Sequence, residues 1–301
     1  MSLDTKVLDG NQQSAVARLF SAAVIRELAQ KGKSPLFSRL VRDSLVINEA
    51  SHTAPVSSIF ESAFTLLRKK NYRHEYAYKA AITKKLLLGR HSLNTASLIT
   101  EFRVENCKAD IAIFNGTSTA YEIKSERDKL GRLRSQLDSY KKFFAKVYVI
   151  TGENHTDEVL ATTSTDVGVL LLNKRFGIST VREAPENPQR VSPVVIFDSI
   201  QIRESLEILQ SFGITPPKVA NTEIRSAVRE IFQTLDPAAT HSVMVRVLRK
   251  SRNSLTLSQT LSRLPESLQA AILSTTLNLK EQTTLLDALN TSIREALNWA
   301  R

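Results

Sequence analysis

A single cysteine, Cys107, stands among the 301 residues. That excludes an internal disulfide and any zinc site built on cysteine thiolates, and it fits a reducing compartment, with the thiol expected as filler at the edge of a core. Long hydrophobic runs are missing as well: the longest aliphatic stretch, residues 167 to 172, falls far short of the roughly 20 residues of a bilayer span. No secretory leader is legible near the start, where Arg18, Arg26 and Glu27 interrupt the apolar positions. A soluble, cytoplasmic protein without membrane partners is expected. The sequence has no repeat at a fixed period, no low-complexity tract and no glycine-rich phosphate loop. Its histidines, His52, His74, His91, His155 and His241, lack metal-ligand spacing. His74 adjoins Glu75, but helical neighbours point about 100° apart and do not naturally share an ion.

Acidic residues are in deficit, giving a net charge of +11. Nearly all the excess lies between residues 68 and 146, where eighteen Lys and Arg face eight Asp and Glu. Such a stretch attracts a polyanion, and the partner it favours is nucleic acid. A solvated basic surface is the competing explanation. The same pair of explanations holds for Arg39 and Arg42, and for the cluster of Arg246, Arg249, Lys250 and Arg252.

What the chain does contain centres on residues 108 to 140. Apolar and β-branched residues flank Asn115-Gly116, a dipeptide suited to positive φ and a tight hairpin reversal. Glu122 and Lys124, two apart on a strand, leave the same face, while Ile123 points to the other. Whether Asp110 joins them depends on register. A two-residue loop pairs Phe114 with Thr117 and puts Asp110 on the opposite face from Glu122. A three-residue loop of Phe114, Asn115 and Gly116, with Gly116 left-handed, pairs Ile113 with Thr117 and Asp110 with Ala120, and it gathers Asp110, Glu122 and Lys124 on one face. The bulged loop is expected. Two converging carboxylates suit a hard divalent cation such as Mg²⁺, with Mn²⁺ as its substitute. A lysine beside them is placed to orient water or stabilise charge on a phosphorus-centred transition state.

Asp110, an eleven-residue gap and then Glu122-Ile123-Lys124 resembles the PD-(D/E)xK nuclease superfamily, whose core is an αβββαβ unit, although Ala109 stands where the family name has proline. Gln136 and Tyr140, at i and i+4 on the next helix, resemble the QxxxY pattern of the RecB-like and exonuclease branches, which places both over the site to position substrate. Residues 72 to 150 look most like a little-characterised bacterial, often prophage-associated, group of the superfamily. The resemblance implies an α/β, restriction-endonuclease-like fold with a mixed sheet and a Mg²⁺-dependent nuclease acting on DNA, with a setting in phage or mobile-element conflict. It also implies a carboxylate from the first core helix. Glu75 is the candidate, with Glu101, at the start of the first strand, as the alternative. An i,i+4 ion pair with Lys79 is the plainer explanation of Glu75. A protein that keeps the fold and binds nucleic acid without cutting, or acts as an adaptor, is the second functional expectation.

Around this core the periodicity predicts helices over 11–30, 36–45, 56–68 and 71–88, the last closed by Gly89, and strands over 101–104, 147–151, 167–172 and 178–182, with a short helix at 157–164. Residues 184–193, with three prolines, read as a loop. Helices are expected over 199–212, 222–235, 242–252, 256–264, 268–273 and 280–299. The division is an N-terminal helical segment (1–68), a nuclease-like core (69–198) and a helical C-terminal region (199–301), the last a candidate surface for a protein partner or a second copy.

Overall fold

The computed structural model describes residues 8–44, 52–88, 95–252 and 257–300. Leu45, Gly89, His91 and Thr256, which enter the expectations above, lie outside them. In chain order the helices are α1 (Gly10–Arg18), α2 (Ala22–Lys31), α3 (Pro35–Ser44), α4 (Val56–Arg68) and α5 (Glu75–Ile82), which runs on into a π-helical turn. After three strands come α6 (Leu133–Lys141) and α7 (Thr156–Thr162), and after the sheet α8 (Pro193–Ser199), α9 (Ile202–Ser211), α10 (Ile224–Phe232) and α11 (Pro237–Ser251). The last are α12 (Ser258–Arg263), α13 (Glu266–Leu273), α14 (Leu279–Asn290) and α15 (Ile293–Ala296). The strands are β1 (Ser97–Val104), β2 (Cys107–Phe114), β3 (Ser118–Lys124), β4 (Lys146–Thr151), β5 (Gly168–Leu172) and β6 (Ile178–Arg182). The fold is mixed α/β, and the order α5, β1, β2, β3, α6, β4 follows the expected αβββαβ sequence. No helix among the described residues is long and apolar enough to cross a membrane.

Capping chemistry explains where several helices depart from the periodicity. The apolar stripe of 11–30 belongs to two helices, because Ser21 accepts the Val24 N–H and starts a new one. Gly32, at φ 67°, then closes α2. Asp236 accepts the Ala239 N–H ahead of Pro237 and opens α11 earlier than the apolar pattern shows. Over 71–88 the helix is shorter than expected: residues 70–72 form a 3₁₀ turn, and the α-helix begins at Glu75. β1 starts at Ser97, so Glu101 lies inside the strand rather than at its beginning.

Two compact units emerge, residues 1–83 with 255–301 and residues 84–254. In the first, the chain's end returns to its beginning: Val56 N donates to the Thr291 carbonyl (2.9 Å), and Ile293 N donates to that of Ala54 (2.9 Å). Phe20 stacks on Tyr76 at 4.2 Å between ring centroids and meets Phe60 and Phe64 edge-on. This cut differs from a division at 68 and 198, because the C-terminal helices separate. Those from α12 onward pack with the N-terminal helices, whereas α8 to α11 cover the sheet.

The second unit is built on a six-stranded sheet in the order β1-β2-β3-β4-β5-β6. β1, β2 and β3 are antiparallel, β3, β4 and β5 parallel, and β6 antiparallel again. Parallel neighbours need a crossover, and α6 and α7 supply the two required. The core joins Phe102, Phe114, Phe143 and Phe144 to Phe197, Phe232, Met244 and Leu248, so apolar burial holds α8 to α11 against the sheet. Cys107 packs half-buried at its edge. Arg252 corrects the picture of a free basic cluster: it donates to both oxygens of Glu204 (2.7 and 2.6 Å), a carboxylate that is 1% exposed, and lies over the Phe102 ring. A buried carboxylate demands a bidentate partner, and Arg252 supplies it.

Candidate active site

The β2–β3 hairpin closes with a three-residue loop in which Gly116 takes φ 99°. Phe114 pairs with Ser118 and Ile113 with Thr119. The loop is therefore residues 115 to 117, one position beyond the expected 114 to 116. Both registers differ from the two-residue loop in the same parity, so the functional outcome stands: Asp110, Glu122 and Lys124 lie on one face.

Both ladders around Asp110 are interrupted. The β2–β3 pairing ends at Ile111 with Tyr121, and beyond it Asp110 Oδ2 accepts the Ile123 N–H at 2.7 Å, a side chain taking the place of a ladder bond. On the other side, the β1–β2 pairs Thr100 with Ile111 and Phe102 with Ala109 bracket Glu101 and Asp110 without including them. Glu101 adopts φ 54°, a left-handed conformation that a non-glycine residue holds only at a cost. Its carboxylate has an oxygen within 4.8 Å of one from Asp110, and Lys108 Nζ stands 3.8 Å away.

Beside Asp110 a dense network holds Glu122, which is 2% exposed, and Lys124, at 8%. Lys124 Nζ donates to Glu122 Oε1 (2.7 Å) and to Gln136 Oε1 (3.0 Å), and Gln136 Nε2 donates to the same Glu122 oxygen (2.7 Å). Tyr140 OH lies 2.8 Å from Glu122 Oε2 and 2.6 Å from the Lys108 carbonyl oxygen. A phenol has one proton to share between these two acceptors. Burial pushes the Glu122 carboxyl pKa up, opposed by the Lys124 charge and by the bonds from Lys124, Tyr140 and Gln136. Burial and the neighbouring Glu122 charge likewise raise the Tyr140 phenol, which stays protonated.

Six of the sequence-expected residues thus lie in one unit and in two adjoining groups: Asp110 with Glu101, and Glu122 with Lys124, Gln136 and Tyr140. Glu75 belongs to the other unit. It opens α5 there and makes the i,i+4 ion pair with Lys79 at 2.6 Å. The strain at Glu101 and the carbonyl partner of Tyr140 left no sequence signal, because each depends on backbone positions fixed by strand pairing. Asp110 and Glu101 bring carboxylate oxygens within 4.8 Å of each other, and oxygen donors of this kind fit a hard divalent cation and not a soft one.

Comparison with known proteins places this chain. Protein cII of Enterobacteria phage P4 is 35% identical over 129 residues, covering 41% of this chain and 48% of the relative, so the match spans about half of that protein's length. A protein of unknown function from Silicibacter pomeroyi aligns structurally with a TM-score of 0.32 and 17% identity, over 50% of this chain and 98% of the other. The family model described as bacteriophage P4 protein cII matches residues 68–280; with most of its length inside that match, this chain belongs to the bacteriophage P4 cII family.

Proposed function

We propose that the chain is a divalent-metal-dependent nuclease that hydrolyses phosphodiester bonds, with DNA as the preferred substrate. The observation that supports it most is the convergence of Asp110, Glu122 and Lys124 on one hairpin face, with Gln136 and Tyr140 bonded to Glu122 from the helix above. Asp110 and Glu122 would hold Mg²⁺, or Mn²⁺ in its place, and Glu101 adds a carboxylate beside Asp110. Glu75, which belongs to the other unit, enters this reading through the superfamily resemblance. The ion, when bound, supplies Lewis-acid stabilisation of a phosphoryl oxygen and acidifies a water. Lys124 places a positive charge where charge develops on phosphorus, and its burial makes that charge act through a low dielectric. Gln136 and Tyr140 fix the Glu122 carboxylate and the Lys124 ammonium in position, so little reorganisation is needed on binding substrate. The basic excess between residues 68 and 146 supports a polyanionic substrate. Membership in a phage protein family supports a setting in phage or mobile-element conflict.

One observation favours a second reading, a nucleic-acid-binding protein that does not cut. Both oxygens of Glu122 are engaged by Lys124, Gln136 and Tyr140, a network closed on itself. Cleavage of circular and linear DNA with added Mg²⁺ or Mn²⁺ separates the two readings: the first requires product, and the second requires salt-sensitive binding without product.

A further inference from the structure

The hairpin of β1 and β2 sets two like-charged pairs side by side, and only the acidic one enters the cleavage reading. Burial alternates along both strands: Glu101 and Arg103 are exposed while Phe102 and Val104 are buried, and Lys108 is exposed while Ala109 is buried. Alternate residues leave one face of a strand, so Arg103 shares a side with Glu101, and Lys108 shares it with Asp110. Register puts Arg103 directly opposite Lys108. Glu101 and Asp110 hold the corresponding places two residues along, between the pairs Thr100 with Ile111 and Phe102 with Ala109.

Like charges directly opposite each other on adjacent strands destabilise a sheet, because their Cβ atoms stand only about 5 Å apart. Within the chain that repulsion is barely offset. Among the described residues Arg103 has no ion-pair partner, and Lys108 meets only Glu101, at 3.8 Å. Both side chains of that contact are about half exposed, and an ion pair in water contributes little. Glu105, two residues beyond Arg103, is taken by Lys142 at 2.7 Å.

A phosphate supplies what the two cations lack: one anion between them relieves their repulsion and accepts hydrogen bonds from the guanidinium and the ammonium together. The acidic pair lies about 7 Å along the strands, two residues at about 3.3 Å each, a separation comparable to that of successive phosphates on one nucleic-acid strand. A backbone laid along the hairpin can place one phosphate at the acidic pair, through a divalent cation, and the next on the basic pair. We infer that Arg103 and Lys108 bind the phosphate of a DNA strand adjacent to the one presented to Asp110 and Glu101. The inference rests on the nucleic-acid reading of this face, whether or not the strand is cut.

The test is binding of a short fluorescent DNA duplex to the full chain at several salt concentrations, in EDTA so that nothing is cut. Arg103→Gln and Lys108→Gln should each weaken binding about fivefold and lower the slope of log affinity against log salt by about 1, and the double variant should lower it by about 2. The loss should be alike for unrelated sequences, since phosphate contacts read none, and Lys108→Arg should keep the parent's affinity. Relief of the cross-strand repulsion predicts that Arg103→Gln melts no lower than the parent, whereas a merely structural arginine would lower the melting temperature when lost. A parent that binds the duplex while both single variants match it in affinity and slope overturns this inference and leaves the nucleic-acid reading standing. Weaker binding by Arg103→Gln together with a lower melting temperature overturns it too. A parent that binds no DNA overturns the inference and the nucleic-acid reading together.

Discussion

Asp110 accepts the backbone N–H of Ile123 at the point where the β2–β3 ladder stops. The bond fixes one oxygen of a carboxylate that also brings an oxygen within 4.8 Å of one from Glu101. Glu101→Gln removes a charge from this acidic pair while keeping its size. The expected result is weaker divalent binding, by about tenfold, with the fold intact; calorimetric Mn²⁺ titration checks it, and unchanged affinity would remove Glu101 from the ion's surroundings.

The Glu122–Lys124 pair is buried, so breaking it from one side costs more than replacing it from both. Lys124→Met should destabilise the chain by about 3 kcal/mol, because a buried carboxyl loses its partner. Adding Glu122→Gln should recover most of that loss. Chemical denaturation of both single variants and the double variant measures the coupling, and additive losses would contradict a paired site.

Tyr140→Phe deletes one hydroxyl that serves both Glu122 and the Lys108 carbonyl. A buried acceptor is then left unsatisfied, and a loss of roughly 1 to 3 kcal/mol is expected. In the cleavage reading, the rate falls as well while Mn²⁺ affinity changes little, since Tyr140 orients Glu122 without being an ion ligand.

How far the sequence disclosed this arrangement can be argued from its residues. Parity on the hairpin was legible, because Asn115-Gly116 signals a reversal and the spacing of Glu122 and Lys124 fixes their shared face. The exact loop was not: moving it from 114–116 to 115–117 preserves every inside and outside choice, so no pattern of burial distinguishes the two. Gln136 and Tyr140 were singled out by their resemblance to the QxxxY pattern, and their i,i+4 spacing puts them on one helical face. By contrast, the return of the chain's end to its beginning rests on bonds such as Val56 N to the Thr291 carbonyl, between residues more than two hundred positions apart, for which local periodicity carries no signal. Arg252 misled for a related reason. Its neighbours Arg246, Arg249 and Lys250 are exposed, and only the fold reveals that Glu204 lies buried beneath it.

That contrast gives a prediction. Arg252→Ala strands Glu204 and should cost about 3 kcal/mol, whereas Arg249→Ala should stay within about 0.5 kcal/mol of the parent. Thermal unfolding of the two variants decides it, and equal effects would contradict the assignment.

His241, on α11, meets Ser118 at 2.8 Å in the interior, and burial lowers its pKa from 6.5 to about 4 against a weaker opposing pull from Glu186. The neutral ring is the folded form, so the unfolded chain binds the extra proton first. Its contribution is complete above pH 6.5 and is lost as pH falls from there to about 4, a change of about 3 kcal/mol. Denaturation at pH 7.5 and 4.5 should show a smaller pH effect for His241→Gln than for the parent; an equal effect would contradict a buried neutral histidine.

The central claim is the chemistry of the hairpin face, and Asp110→Asn tests it most directly, because the amide oxygen still accepts the Ile123 N–H and the fold is retained. The measurement is cleavage of circular and linear DNA, and of RNA, with Mg²⁺ or Mn²⁺ by the parent and by this variant. The account predicts metal-dependent product from the parent and at least a hundredfold less from Asp110→Asn, with melting temperatures alike. A parent that cuts no nucleic acid with either ion, or a variant that cuts as fast as the parent, would contradict it.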